Sequence, residues 1–76
     1  MSTALASLGI TKTERIVWKR IAEGAQTKQI ADEMAVDVRT VDSHRAHLAA
    51  KLGARNAADM TRAAVRFGVI VVEVVS

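Results

Sequence analysis

The sequence predicts an all-α fold of four short helices, the second and third set as a helix-turn-helix, followed by a short extended C-terminal tail. Three observations lead there. Apolar residues recur at helical spacing in four successive segments. Proline is absent, and the glycines Gly9, Gly24, Gly53 and Gly68 fall between those segments as punctuation. Good capping residues stand just ahead of the first, third and fourth segments.

Thr11 with Glu14 forms a capping-box pattern, in which a hydroxyl and a carboxylate satisfy free backbone donors at a helix start. Val17, Ile21 and Ala22 then supply an apolar stripe, which predicts α1 over about 12–23, stopped by Gly24. Ile30, Ala31 and Met34 follow Gln26 and Thr27, either of which can start a short α2 over 27–34. Asp37 is a good N-cap for α3, about 38–52, whose buried side is marked by Val41, Leu48 and Leu52. Asn56 and Asp59 repeat the start signal for α4, where Met60, Ala64 and Phe67 form one face before Gly68.

The closing VIVVEVV, 69–75, is almost wholly β-branched and favours extended backbone. Two expectations attach to it: Val69 and Ile70 complete the core before a loosely held end, or the tail pairs with a second subunit. Residues 1–9 are an N-terminal arm from which Leu5 and Leu8 can pack on the core, 10–70 the folded domain, and 71–76 the apolar tail.

A chain of 76 residues holds one small domain, near the size limit for a single core. Half of it is hydrophobic, yet Trp18 and Phe67 are the only aromatics, so the core is aliphatic and alanine-rich. The absence of cysteine excludes disulfides and thiolate metal sites. Eleven Lys and Arg against eight Asp and Glu give a net charge of +3, which suits a polyanionic partner. The opening MSTALASLG lacks the basic and apolar regions of a signal peptide, and no apolar run approaches the roughly 20 residues of a membrane span, so a cytoplasmic protein is expected.

The stretch TVDSHRAHLAAKLG, 40–53, carries two histidines three residues apart and raises metal, catalytic and nucleic-acid readings. With about 100° per residue, Val41, Leu48 and Leu52 fall on one side, and Arg39, Ser43 and Ala50 lie nearly opposite. Asp42 and Ala46 take one shoulder of the exposed face and His47 the other, while His44 and Arg45 sit nearer the buried edge. Such a polar face fits the major groove of B-DNA, where small residues such as Ser43 and Ala46 let the backbone come close. Arg39 can donate to guanine and Asp42 can accept from cytosine N4. Lys28, Arg45, Lys51 and Arg55 are expected at phosphates, which position a protein without reading sequence.

Plainer readings stand beside these: a solvated helix face for Arg39, Lys51 and Arg55, and a first-turn carboxylate favoured by the helix dipole for Asp42. Two histidines without a third ligand make a poor zinc site, so no metal and no cofactor are expected. Ser43 beside His44 is not a dyad, since adjacent helical residues diverge by about 100° and nothing marks an oxyanion hole; the chain does not read as an enzyme.

Taken together, IT-x-x-E, VW-x-x-IAEG, K-Q-IA-x-x-M, V-x-V-R-TVDSHRAHLAAKLGARN and A-A-V-R-F-G-V-I resemble the LuxR-type helix-turn-helix DNA-binding domain of bacterial transcription regulators, over 10–70. The resemblance implies a four-helix domain in which α3 enters the major groove and α4 pairs two subunits on DNA. It implies structural roles for Val41, Leu52 and Gly53, and a place near the DNA backbone for Lys28, Thr40, His44 and Lys51, with Thr27 beside them at the start of α2. The base-reading positions correspond mainly to Asp42, Ser43 and Ala46. Lys12 stands where the family usually has proline, Asp37 where Ser is common, and Gln26 where Ser or Thr is usual. Asp42 and Ala46 replace basic base-reading residues of some members, so the preferred DNA sequence is not transferable. In length the chain resembles GerE-like members made of this domain alone, or a domain excised from a longer member.

Two functions follow as expectations. One is a sequence-specific transcription regulator, bound to double-stranded DNA as a homodimer paired through Thr61, Arg62 and Val65 of α4. The other is a protein-interaction module that pairs with and antagonises a related regulator, motivated by Asp42 on the DNA face and by the apolar tail.

Overall fold

The computed structural model describes residues 8–70. Four helices follow in order, α1 Lys12–Ala22, α2 Thr27–Met34, α3 Val38–Leu52 and α4 Ala57–Arg66. The all-α expectation holds, and no strand occurs among the described residues. Leu5 and the 71–76 tail lie outside the described residues, while Leu8 is half-buried and Val69 buried.

The helix starts are set locally. Thr11 Oγ1 accepts from the Glu14 N–H at 3.1 Å, and Glu14 Oε1 accepts from the Thr11 N–H at 3.0 Å, which completes the capping box. Asp37 Oδ1 accepts from both the N–H and the hydroxyl of Thr40, at 2.8 and 2.7 Å, and Asn56 Oδ1 accepts from the Asp59 N–H at 2.9 Å. Gln26 differs: it occupies the N-cap position of α2 but its side chain makes no capping bond. The amides of that first turn therefore lack the side-chain acceptor that a serine would supply.

The ends depart slightly from expectation. Glu23 serves as the C-cap of α1, and Phe67 as that of α4, because the chain turns toward Gly24 and Gly68 one residue sooner. At the helix-turn-helix corner Ala35 adopts a left-handed backbone with φ 58°, a conformation that costs an L-residue about 1–2 kcal/mol. The Val36 N–H then donates back to the Ala31 carbonyl at 3.0 Å, closing the corner.

The core is formed by Val17, Trp18 and Ile21 of α1, Ile30 and Ala31 of α2, Val41 and Leu48 of α3, and Met60 and Ala64 of α4, with Val69 behind them. Trp18 is fully buried, and its Nε1–H donates to the Met60 carbonyl at 2.8 Å, joining α1 to α4. Its ring meets Phe67 edge-on with centroids 6.1 Å apart. α1 thus packs against α4 and α3, and α2 lies on α3. Arg20 grips Glu33 with two bonds of 2.8 and 2.9 Å, tying α1 to α2 across the surface.

Candidate nucleic-acid interface

Rotation of α3 is fixed by burial. Val41 and Leu48 are both fully buried, and burying a side chain of this size stabilises by about 1.5–3 kcal/mol. Turning the helix to expose them would forfeit that stabilisation. Leu52, expected on the same buried side, is only half-buried, because the last turn of α3 reaches the edge of the core beside Gly53, Ala54 and Arg62.

Opposite this anchor, Arg39, Asp42, Ser43, Ala46, His47 and Ala50 are all exposed. Residues 39 to 50 span about 16 Å of helix at 1.5 Å per residue. The face has one cation near its start, one carboxylate, and otherwise small or neutral side chains. His44 and Arg45 are half-buried at its edge, as the helical angles predict, whereas His47, nearly one turn on from His44, is exposed. Among the described residues, no three His, Asp or Glu side chains cluster closely enough to hold a metal ion.

The residues expected at the backbone divide into groups. Lys28 is exposed and carries no ion pair among the described residues, as is true of Arg39. Arg45 is held in place: its Nη1–H donates to the hydroxyl of Thr27 at 2.8 Å, linking α3 to the start of α2. Thr40 spends its hydroxyl proton on Asp37. Arg55 is exposed but turned toward Asp59, with Nε 3.1 Å from Oδ2. Asp42, Arg45, Ala46 and Arg55 meet around a shallow depression of about 250 Å³ between α3 and the start of α4. Thr27 and Arg45 border a neighbouring one on the α1–α2 side.

Lys51 is placed differently. Its Nζ donates to Glu14 Oε1 at 2.6 Å and to the Gly9 carbonyl at 2.9 Å. Glu14 is buried, and the Lys51 ammonium followed by the Thr11 N–H holds its carboxyl below the usual carboxylate range. Sequence reasoning assigned Glu14 to the capping box alone. The bond from Lys51 spans 37 residues and has no local signal, and the Arg45–Thr27 and Arg20–Glu33 contacts, 18 and 13 residues apart, have none either.

On α4 the expected pairing residues have mixed settings. Val65 is 43% exposed, Thr61 is half-buried with its hydroxyl donating to the Ala57 carbonyl at 3.0 Å, and Arg62 is exposed but bonded to Asp59 at 2.6 Å. Asp59 thus faces two arginines. The Arg55 backbone N–H, then the Arg62 and Arg55 side chains, bring its carboxyl down to about 2. Among the described residues no helix is long and apolar enough to cross a membrane.

Comparison with known proteins gives this geometry a family. The C4-dicarboxylate transport transcriptional regulatory protein DctR of Rhodobacter capsulatus is 45% identical over 49 residues, which cover 64% of this chain and 25% of that protein. The transcriptional regulatory protein UhpA of Escherichia coli is 42% identical over 53 residues, 70% of this chain and 27% of UhpA. The oxygen regulatory protein NreC of Staphylococcus aureus is 32% identical over 57 residues, 75% of this chain and 26% of NreC. The chain spans about a quarter of the length of these curated relatives. No solved structure matches it significantly. The family described as bacterial regulatory proteins, luxR family, matches residues 8–64, well over half of the sequence, and the chain belongs to that family.

Proposed function

We propose that the chain is the DNA-binding part of a bacterial transcription regulator, and that it reads double-stranded DNA with α3 in the major groove. The observation that carries this is the exposed face of α3, Arg39, Asp42, Ser43, Ala46 and His47, held outward by the burial of Val41 and Leu48. The groove is about 12 Å wide and a helix with its side chains about 10–12 Å across, so small side chains at Ser43 and Ala46 favour a close fit. Arg39 donates to a guanine edge and Asp42 accepts from a cytosine amino group.

Phosphates on either side of the groove are met by Lys28, by the open first turn of α2 with Thr27, and by Arg45 and Arg55 around the depression beside α4. Two copies pair through the Thr61, Arg62 and Val65 side of α4, which would present two α3 helices to two half-sites. Membership of a family of bacterial regulatory proteins supports a cytoplasmic site of action on the chromosome. Titration of the protein at fixed salt, with duplexes selected from a random pool and with random duplex, tests the proposal. Selected duplexes should bind at least about a thousandfold more tightly, as sequence-specific proteins do, and equal affinity for both would refute it.

A further inference from the structure

Lys51 belongs by sequence with the cations expected at the DNA backbone, yet its ammonium points at the protein. Nζ contacts Glu14 Oε1 at 2.6 Å and the Gly9 carbonyl at 2.9 Å, so two of its three protons have acceptors. The Glu14 side chain is 6% exposed and that of Lys51 31%. If the ammonium left for a phosphate, it would strand a buried carboxylate with only the Thr11 N–H.

The position of this clasp gives it a purpose. Lys51 lies in the last turn of α3, Glu14 in the first turn of α1, and Gly9 in the segment leading into α1. The first three turns of α3 are fixed by fully buried Val41 and Leu48, by the Asp37 cap and by the α2 corner, whereas in its last turn, beyond Leu48, the remaining apolar anchor, Leu52, is only half-buried. Apolar burial is non-directional, so at that end it defines the axis of the helix poorly. A short charge-assisted bond between fixed elements does define it.

We infer that Lys51 is a positioning residue, which through Glu14 and the Gly9 carbonyl sets the angle at which α3 is presented, and which makes no phosphate contact. This rests on the proposed DNA binding. Salt slope and sequence discrimination tell the two roles apart. Losing a phosphate contact lowers the slope of log affinity against log salt by about 0.9 and weakens all sequences alike. Losing the clasp tilts the reading face, so discrimination between sequences falls while the slope stays.

The test uses the full chain, a duplex selected by the parent protein and a random duplex, across a salt series at a temperature where circular dichroism shows each variant folded. Lys51→Met removes the clasp. The double variant Glu14→Gln with Lys51→Met removes it without leaving a buried charge, and the amide oxygen can still accept from Thr11. Both should lose about tenfold in discrimination, the scale of one coupled contact, at unchanged slope. Lys51→Arg should restore it, and Lys28→Met should lower the slope by about 0.9 with discrimination intact. A slope lowered by about 0.9 in the Lys51 variants would overturn the inference, as would full discrimination in the folded double variant. A parent protein that fails to discriminate would instead remove the DNA-binding proposal itself, and this inference with it.

Discussion

Replacing Trp18 with Phe probes the joint between α1 and α4. Trp18 is fully buried, its Nε1–H is bonded to the Met60 carbonyl at 2.8 Å, and its ring edge meets Phe67. Phenylalanine keeps one ring but removes the donor and a few ring atoms. The lost hydrogen bond is worth about 1 kcal/mol and the partly filled cavity about 1–2 kcal/mol more, a total of about 2–3 kcal/mol. A domain of this length has about 4–11 kcal/mol of stability in all, so the variant folds but sits close to the limit. At about 4–8 °C per kcal/mol the melting temperature should fall by about 8–24 °C. Thermal and urea unfolding followed by circular dichroism measure both quantities. A loss below about 1 kcal/mol would refute the assignment, because it would mean that neither the bond nor the second ring holds the two helices together.

Three further outcomes are expected. Ala46→Trp should leave stability within about 0.5 kcal/mol, since Ala46 is exposed, yet lower affinity for selected DNA at least about tenfold by holding α3 off the bases; unchanged affinity in a titration would contradict the placement of α3. Gln26→Ser should raise urea-measured stability by about 0.5–1 kcal/mol by giving α2 the cap it lacks. Asp59, lowered from 3.8 to about 2 in the folded state, contributes stability that is present above 3.8 and lost as pH falls toward 2. Acid titration of Asp59→Asn should therefore show a shallower decline in that window, and an unchanged profile would count against the two-arginine clamp.

What the sequence made legible was local. The Thr11–Glu14 box, the Asp37 and Asn56 caps and the stripe of Val41 and Leu48 are patterns within a few residues of one another, and helical geometry converts them directly into helix starts and a buried side. The exposed face of α3 followed from the same angles. The less legible features join residues far apart in the chain. Nothing near Lys51 announces Glu14, 37 positions away, and nothing near Trp18 announces the Met60 carbonyl. Composition treats Lys51 and Lys28 alike, although one ammonium is bonded to a buried carboxylate and the other has no ion pair among the described residues. The left-handed backbone of Ala35 was also hidden, because alanine ordinarily avoids it and the corner, rather than the residue, imposes it.

Whether α3 reads the major groove is decided by atom-level substitution in the DNA. In a selected duplex each guanine is replaced in turn by 7-deazaguanine, which lacks the major-groove N7 acceptor, or by inosine, which lacks the minor-groove amino group. Affinity is measured with the parent protein and with Arg39→Ala. With α3 in the major groove, 7-deazaguanine should weaken binding at specific positions, by about 1–3 kcal/mol where Arg39 donates, this penalty should vanish in Arg39→Ala, and inosine should be tolerated. Binding that ignores 7-deazaguanine throughout but is lost with inosine would place the contact in the minor groove and contradict that placement of α3.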